Sequence, residues 1–324
     1  MRVLIGIPAL DEAASLASVV AAIPERLPGV GSREVLVVDD GSRDATARVA
    51  RRAGAQVISH PGNLGVGAAF QTLLREALRR GVDLLVTLDG DGQFDPKDIP
   101  ALLAPLLRGE AQVATASRFA DPALLPEMPA LKIWGNRRVA ELVSRLCGHK
   151  LRDVSCGYRA YTREALLRLT VHGAFTYTHE TLLDLAAKAV PIVEVPLAVR
   201  GTRAVGRSRV AGNVLVYALR SVAILLRFYR DYHPLRLCAA VSAPLFAAGL
   251  ALLLASFLRF QETGVWLKWA ALAGGATLGV GLGVLFFGFL AGISGRLRRN
   301  QEEMLYWLRR QQRPEAPPVD REAR

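Results

Sequence analysis

Residues 84–96 read LLVTLDGDGQFDP, a short apolar run that ends in a loop rich in acidic residues. A continuous apolar run of this length, bounded by polar residues, is typical of a strand that is buried on both faces of a sheet. Leu84–Leu88 is therefore a predicted strand, and the loop after it is a candidate functional segment. The other predicted strands of this type are Val3–Ile7, Glu34–Val38, Gln56–Ile58 and Val113–Ala116.

Helical patterns of apolar residues lie between these strands. The predicted helices are Leu16–Ile23, Ala45–Ala53, Gly67–Arg80 and Ile99–Leu107. Strands that alternate with helices predict an α/β domain with a mostly parallel sheet, right-handed crossovers and helices on both faces. Ligands bind such a sheet at the carboxyl ends of its strands. The polar residues that follow each strand are therefore the candidates for function.

Acidic loops follow three of the predicted strands, at 8–12 (PALDE), 39–46 (DDGSRDAT) and 89–96 (DGDGQFDP). Because these strand ends share one edge of the sheet, we expect carboxylates to crowd there and a cation to offset their repulsion. Asp89 and Asp91 are predicted to hold Mg²⁺ or Mn²⁺ through oxygen ligands, and the metal to gather the oxygens of a diphosphate. Two alternatives remain: residues 39–42 form an ordinary turn before a helix capped by Asp44, and residues 89–91 form a loop without a metal.

A glycine-rich segment, 63–69 (NLGVGAA), opens the third predicted helix. Its backbone N–H groups could bind an anion, or the glycines could serve a tight turn with close helix packing. The segment is neither a Walker loop nor a Rossmann fingerprint.

Two long runs near the C-terminus contain no Asp, Glu, Lys or Arg. Leu237–Leu258 has 22 residues and Trp269–Gly295 has 27, and about 20 apolar residues suffice to cross a hydrocarbon core of roughly 30 Å. We predict two transmembrane helices within 235–295, with a pair of buried core helices as the alternative. More cations flank the two runs than lie between them, which favours a cytoplasmic catalytic domain and two cytoplasmic termini. The flanking cations are Arg227, Arg230, Arg236, Arg296, Arg298 and Arg299, and those between the runs are Arg259 and Lys268.

The net charge of +12 is concentrated just before the first apolar run. Residues 200–236 contain eight Arg and one Asp, and Asn213, Arg220 and Arg227 recur every seven residues. Residues 211–234 are therefore predicted to form an amphipathic helix in the headgroup layer, with a solvated helix face as the alternative. No aromatic-interleaved basic surface accompanies the charge, so no nucleic-acid partner is expected. The three cysteines share no metal-ligand spacing and fit a reducing cytoplasm, and MRVLIGIP reaches a turn too soon for a signal peptide.

Seven segments together carry a resemblance to a known family. They are IPALDE (7–12), VVDDGSRDAT (37–46), HPGNLGVGAAF (60–70), LDGDGQFDP (88–96), ASRF (116–119), DVSCGYRAYTREAL (153–166) and VPLAVRGTRAVGRSRV (195–210). The set resembles the family 2 glycosyltransferases, most of all the branch of dolichol-phosphate mannosyltransferases and bacterial polyprenyl-phosphate glycosyltransferases. The likeness runs from about residue 2 to 210. It implies a GT-A fold, Rossmann-like with a mostly parallel sheet, over residues 1–210, then the interfacial helix, the two membrane helices and a charged cytoplasmic tail at 296–324.

The resemblance also implies the chemistry and the residues that perform it. The implied donor is a nucleotide sugar, GDP-mannose or UDP-glucose. The implied acceptor is a polyprenyl phosphate, undecaprenyl or dolichyl, at the cytoplasmic face of the lipid bilayer. The resemblance is also compatible with a homo-oligomer. The implied nucleotide-sugar site is Pro8, Leu10, Glu12, Val37, Asp39, Asp89, Gly90, Asp91 and Gln93. The implied metal ligands are Asp89, Asp91 and Gln93, the acceptor-phosphate ligands are Arg118, Arg203 and Arg209, and the catalytic residues are Asp91 and Arg118.

Some positions depart from the family pattern. Leu10-Asp11 stands where Tyr-Asn is common, and Val66 stands where many relatives have a basic residue. The Gln-x-x-Arg-Trp signature of processive polysaccharide synthases is absent, which disfavours a processive polymerase.

A phosphate acceptor makes a specific mechanism possible. A phosphate monoester is mostly dianionic at neutral pH and needs no general base, so we expect a single displacement with inversion at the anomeric carbon. One alternative is a hydroxyl acceptor, which would require a base such as Asp153 or Glu180. A second is a non-catalytic membrane scaffold. Thr178 is predicted to cap a helix, with a sugar contact by His179 or Glu180 as the other interpretation.

Overall fold

A computed structural model describes residues 1–125, 130–171, 177–199, 223, 226–227 and 229–312. The chain divides into two compact units, of which the first comprises Met1–Val222 with Leu305–Arg324 and the second Ala223–Met304. Arg203 and Arg209, and most of the predicted interfacial helix at 211–234, lie outside the described residues. Those expectations stay predictions.

The first unit is an α/β domain built on one seven-stranded sheet. Its strands are β1 (Arg2–Ala9), β2 (Ser32–Asp39), β3 (Gln56–Ser59), β4 (Leu84–Thr87), β5 (Val113–Ser117), β6 (Arg159–Thr162) and β7 (Ile192–Pro196). Its helices are α1 (Leu16–Ala21), α2 (Thr46–Arg52), α3 (Val66–Arg80), α4 (Ile99–Leu107), α5 (Ala130–Cys147), α6 (Arg163–Arg168) and α7 (Thr178–Ala187). The five predicted strands and four predicted helices are confirmed, with ends that shift by at most two residues.

The strand order across the sheet is β3-β2-β1-β4-β6-β5-β7. All pairings are parallel except those of β6, which runs antiparallel to both β4 and β5. The sequence did not predict β6, because four residues that begin with an arginine do not form an apolar run. Since β6 runs in the opposite direction, it begins at the edge where β4 and β5 end. That reversal brings the segment before β6, residues 153–158, to the ligand-binding edge predicted from the parallel strands.

Alternate residues of β1 enter two separate cores. Val3, Ile5 and Ile7 pack with apolar residues of α1 and α4, whereas Leu4 packs on the other face with residues of α3, α6 and α7. This alternation is the period-2 pattern of a strand buried on both faces. Gly6 permits α3 to lie close, because a Cβ there would be 2.7 Å from Leu73 Cδ2.

The second unit contains α8 (Pro234–Thr263) and most of α9 (Lys268–Gln311), and these two helices run antiparallel. Small residues line their interface: a Cβ on Gly249 would be 2.9 Å from the Gly274 carbonyl oxygen, and one on Gly288 would be 2.6 Å from the Cβ of Cys238. Ser242 Oγ donates a hydrogen bond to the Gly281 carbonyl at 3.0 Å. Small residues and a serine hydroxyl between close helices are typical of packing in membranes.

Both helices are long and apolar enough to cross a membrane. Only 11% of the residues in the most apolar stretch of each helix are buried, so most of its side chains point away from the protein. A core helix of a water-soluble domain would show the opposite. The helix α9 continues past the predicted boundary at Gly295 to Gln311.

The last turns of α9, from Leu305, belong to the first unit. Tyr306 Oη donates a hydrogen bond to Glu164 at 2.9 Å. Arg309 Nη1 donates to the carbonyl oxygens of Leu167 and Leu169 at 3.2 and 2.8 Å. These carbonyls are at the C-terminal end of α6, where a helix leaves its last carbonyl groups without partners in the helix.

Candidate active site at one edge of the sheet

The strands β1, β2, β4 and β5 end at one edge of the sheet, which we call the site edge, and β6 begins there. In the sheet register Pro8 lies beside Val38, and Ala9 lies beside Asp39. The three acidic loops follow the neighbouring strands β2, β1 and β4. The prediction that these loops share one edge is therefore confirmed.

Hydrogen bonds join the loops after β1 and β2. The Asp11 N–H donates to Ser42 Oγ at 2.9 Å, and the Arg43 N–H donates to the Asp11 carboxylate at 2.6 Å. The Ser42 N–H donates to the buried carboxylate of Asp39 at 3.0 Å. Asp11 adopts a left-handed backbone conformation, with φ of 51°, which is uncommon for a residue other than glycine. The reciprocal bonds hold this conformation in place.

Further contacts position the remaining residues of the first two loops. The Glu12 N–H donates to Thr46 Oγ1 at 2.9 Å. Asp44 accepts the N–H groups of Ala13 and Thr46 at 3.2 and 2.9 Å. Leu10 is partly exposed, whereas Pro8 and Val37 are buried. Val37 is 0% exposed and belongs to the core, so it supports the site edge from below.

The loop after β4 is bound to the start of α1. Ser15 Oγ donates a hydrogen bond to the Gly90 carbonyl at 2.7 Å, and a Cβ on Gly90 would be 3.3 Å from Leu16 Cδ1. Asp91 is 2% exposed and accepts the N–H of Gln93 at 3.0 Å. Asp89 is less buried than Asp91.

A close approach at Gly157 sets the surroundings of Asp89. A Cβ on Gly157 would be 3.2 and 3.3 Å from the two carboxylate oxygens of Asp89 and 3.0 Å from the Tyr177 hydroxyl. Tyr177 donates a hydrogen bond to the Gly157 carbonyl at 3.3 Å and stacks on Phe70 with ring centroids 4.2 Å apart. Burial raises the pKa of Tyr177, and the negative charge of Asp89 raises it further. The hydroxyl of Tyr177 therefore stays protonated beside Asp89.

Arg118, at the end of β5, forms a bidentate ion pair with Asp153. Its Nε and Nη2 donate to the two carboxylate oxygens at 2.6 and 2.8 Å, and Nη2 also donates to Ser155 Oγ at 2.6 Å. The Asp153 side chain is 0% exposed and that of Arg118 is 17% exposed. Burial acts to raise the pKa of Asp153, but the charge of Arg118 and its hydrogen bonds outweigh burial and hold the pKa below its ordinary value.

Arg159, the first residue of β6, is 0% exposed. It donates hydrogen bonds to the Val154 carbonyl at 3.1 Å and to the Thr178 carbonyl at 2.7 Å. Burial lowers the pKa of His179 to about 4, and the charge of Arg159 adds to the effect. The prediction that Thr178 caps α7 is wrong: the cap residue is Tyr177, which makes no side-chain capping bond, and Thr178 lies in the first turn with its carbonyl bound by Arg159.

Asp40 folds the glycine-rich segment. Its carboxylate accepts the N–H groups of Leu64 and Gly65 at 3.0 and 2.8 Å. His60 Nδ1 lies 2.8 Å from the same carboxylate. Asp40 therefore occupies two of the N–H groups of this segment, just before the first turn of α3. The structure thus favours the tight-turn interpretation of NLGVGAA.

The loop after β4 offers oxygen ligands for a metal. In the parts of the chain that the structure describes, no group of three or more His, Cys, Asp and Glu side chains could hold a metal ion. The predicted set contains two carboxylates and the side-chain amide of Gln93. Mg²⁺ usually binds one or two carboxylates together with substrate phosphates rather than a complete protein cage. Asp89, Asp91 and Gln93 therefore fit a divalent ion that is completed by a diphosphate.

Four residues that shape this site were missing from the sequence prediction: Asp40, Gly157, Arg159 and Tyr177. Arg159 and Gly157 occur in the conspicuous segment DVSCGYR, but Thr178, which Arg159 binds, and Asp89 and Tyr177, which lie close to Gly157, are elsewhere in the chain. Asp40 stands beside Asp39 in sequence, and only its three contacts distinguish its role.

Comparisons with known proteins give a consistent result. The family model described as Glycosyl transferase family 2 matches residues 4–170. Polyprenol monophosphomannose synthase of Mycolicibacterium smegmatis is 29% identical over 232 residues, which cover 68% of this chain and 86% of that protein. Undecaprenyl-phosphate mannosyltransferase of Micrococcus luteus is 28% identical over 234 residues, which cover 68% and 93%.

A solved structure is similar as well. Glucosyl-3-phosphoglycerate synthase from Mycobacterium tuberculosis, in complex with Mn²⁺, uridine diphosphate and glucosyl-3-phosphoglycerate, aligns with a TM-score of 0.56 and 25% identity. The alignment covers 70% of this chain and 79% of that chain.

Proposed function

Because the chain belongs to glycosyl transferase family 2, we propose that it transfers a sugar from a nucleotide-sugar donor to a polyprenyl phosphate, with Mg²⁺ or Mn²⁺, at the cytoplasmic face of the cytoplasmic membrane. The family establishes a glycosyltransferase enzyme. The proposal concerns the donor, the acceptor, the metal and the location.

One observation supports a lipid acceptor most strongly: the glycosyltransferase domain is attached to two helices with outward-facing apolar side chains. An enzyme with a soluble acceptor does not need such helices, whereas a lipid acceptor stays in the bilayer. Two relatives are named for polyprenol and undecaprenyl-phosphate substrates, which supports the same acceptor class here. Both are named for mannose, so GDP-mannose is the first donor to test and UDP-glucose the second.

The donor would bind at the loops after β1, β2 and β4. Asp39 would accept hydrogen bonds from the nucleoside, and Leu10 and Glu12 in the loop after β1 would complete this part of the donor site. Asp89, Asp91 and Gln93 would hold the divalent ion, and a related structure contains Mn²⁺ with uridine diphosphate. Charge compensation on the departing nucleoside diphosphate is the chemistry that the ion would supply.

The acceptor phosphate would bind on the Arg118 side of the site edge. A dianionic phosphate is already a nucleophile, so the chain has to orient it and exclude water rather than remove a proton. Asp153 is poorly suited to be a general base, because it is buried and bound to Arg118. This argues against the hydroxyl-acceptor alternative that uses Asp153. Val199 pairs with Phe94 in the loop after β4. Arg203 and Arg209 are proposed as further ligands of the acceptor phosphate.

A donor and acceptor panel tests the proposal. Full-length protein in detergent would be given GDP-mannose, UDP-glucose or UDP-N-acetylglucosamine with undecaprenyl phosphate, with and without Mn²⁺. We expect transfer of one sugar to the lipid phosphate, dependence on the metal, and an inverted anomeric configuration in the product. Transfer to an undecaprenol hydroxyl but not to its phosphate would contradict the acceptor, and retained configuration would contradict the single displacement.

A further inference from the structure

A cavity of about 290 Å³ lies in the second unit, between the N-terminal end of α8 and one segment of α9. Its wall includes Asp231, Arg236, Gly292, Gly295, Arg296 and Arg299. A Cβ on Gly292 would meet no atom within 4 Å, so this glycine leaves open space. Ligand pockets commonly measure about 300–1,000 Å³, and the cavity therefore has room for a lipid headgroup rather than for a complete lipid.

The cavity wall carries a net positive charge. Its one carboxylate, Asp231, is bound by Arg230 at 2.9 Å and by Arg298 at 3.3 Å. Arg236, Arg296 and Arg299 form no ion pair with any residue that the structure describes. The N-terminal end of α8, a helix of 30 residues, adds a partial positive charge. We call this cavity the arginine pocket.

The position of the pocket along the helices identifies its surroundings. Arg236 precedes the first charge-free run by one residue, and Arg296 follows the second by one residue. If α8 and α9 cross the membrane as proposed, these residues lie at the level of the lipid headgroups. Basic pockets between membrane helices on the cytoplasmic side bind anionic headgroups.

We infer that the arginine pocket binds the phosphate of an anionic membrane lipid. Guanidinium groups match phosphate oxygens in geometry and charge, and Gly292 leaves space beside them. The inference rests on the proposed membrane location but not on the proposed transfer reaction. None of the pocket residues belongs to the predicted donor or acceptor site.

The test measures lipid binding and not turnover. Full-length protein, purified in detergent, would be titrated with phosphatidylglycerol or phosphatidylcholine and the complexes counted by native mass spectrometry. We expect phosphatidylglycerol to bind at least about ten-fold more tightly, since each arginine near an anionic lipid contributes appreciably. The triple variant Arg236→Gln, Arg296→Gln, Arg299→Gln should lose this preference.

Two control variants test whether the lipid preference depends on charge at the arginine pocket. Arg259→Gln with Lys268→Gln removes charge at the other ends of the two helices, and about 35 Å of α8 separates Arg259 from Arg236; this variant should keep the preference. The triple Arg→Lys variant retains the charge and should also keep it. Equal preference in the wild type and the triple Gln variant would overturn the inference, and so would a loss in the triple Lys variant as large as in the Gln variant.

Competitors distinguish the sources of phosphate. Undecaprenyl phosphate should displace phosphatidylglycerol from the wild type, because it presents the same chemistry on a lipid. Inorganic phosphate at the same concentration should not, because it lacks the hydrocarbon chain. Equal displacement by inorganic phosphate would show a site for the free ion and would overturn the assignment to a lipid. Failure of the transferase assay would leave this result unchanged, so the two proposals can fail separately.

Discussion

The two halves of the site edge use carboxylates in different ways. In the acidic half, formed by the loops after β1, β2 and β4, Asp39 and Asp91 accept backbone N–H groups of their own loops. In the paired half, formed by the end of β5 and the segment before β6, Asp153 forms a bidentate ion pair with the Arg118 guanidinium. Backbone N–H groups fold a loop without cancelling a carboxylate charge, whereas an arginine cancels it.

The difference indicates two roles: the acidic half is the proposed binding site for the metal and the donor, and Asp153 in the paired half positions Arg118. The carboxylates of the acidic half suit the divalent ion and the diphosphate that we propose to bind there. A buried carboxylate that is already neutralised instead fixes the position of the arginine, so that the guanidinium is held rigidly at the end of β5. Rigid placement of charged groups is what a site needs to orient an acceptor phosphate for sugar transfer.

Removal of the arginine in the paired half should have the largest effect. Arg118→Ala leaves Asp153 buried without its cation, and breaking a buried pair in this way costs about 3–5 kcal/mol of unfolding free energy. Thermal unfolding in detergent would measure this loss of stability. The control is Arg108→Ala, which removes an exposed ion pair with Glu110 and should change the unfolding temperature little. Wild-type stability with lost activity would show instead that Arg118 acts mainly on substrate, and the comparison of the two halves would break down.

Loss of charge in the acidic half should affect activity rather than folding. Asp91→Asn keeps the shape of the side chain but removes one of the two carboxylates among the predicted metal ligands, and we expect a decrease in kcat of about 10²–10³-fold. Calorimetric titration with Mn²⁺ and nucleoside diphosphate would show weaker binding. The control is Asp121→Asn, an exposed carboxylate that accepts the Ala123 N–H. Undiminished Mn²⁺ binding by the Asp91 variant would remove the proposed metal site from this loop.

The paired half should also make stability depend on pH through His179. Its pKa falls from 6.5 to about 4 in the folded protein, so below pH 6.5 the unfolded chain binds the proton more readily. Stability from this group is complete above pH 6.5 and is lost as the pH falls towards 4, by at most about 3 kcal/mol. His179→Asn should flatten this slope in chemical denaturation. Identical slopes in the wild type and the His179 variant would contradict the role of burial.

The smallest effect is expected where the two halves meet. Gly157→Ala would place a methyl group 3.2 Å from the Asp89 carboxylate and should displace that side chain slightly, with a decrease in kcat of about ten-fold. The matched control is Gly62→Ala, since a Cβ on Gly62 would meet nothing within 4 Å. Full activity of the Gly157 variant would show that Asp89 does not depend on this contact.

Much of the fold was predictable from short-range patterns. The apolar runs and helical periodicities of residues 3–107 correspond to β1–β4 and α1–α4, and the expected GT-A fold is confirmed by the family match and the solved relative. The two charge-free runs correspond to α8 and to the apolar part of α9. These features depend on neighbours within a few residues, where periodicity and charge are visible.

The candidate site was predictable in part. The acidic loops were expected at one edge because parallel strands end together, and their adjacency is confirmed. The roles of individual residues in donor, metal and acceptor binding stay predictions. The ion pair of Arg118 with Asp153 was not expected, because the partners are 35 positions apart and meet only through the reversed direction of β6.

The sequence by itself determined which residues form strands, helices and long apolar segments, since each of these depends on local periodicity and solvent exposure. Tertiary structure alone decided which charges are cancelled. Asp39 and Asp40 are adjacent and chemically identical, yet one supports the site edge while the other folds a distant glycine-rich turn. The physical reason is that a carboxylate takes its function from the donors packed around it, and strand order and direction choose those donors.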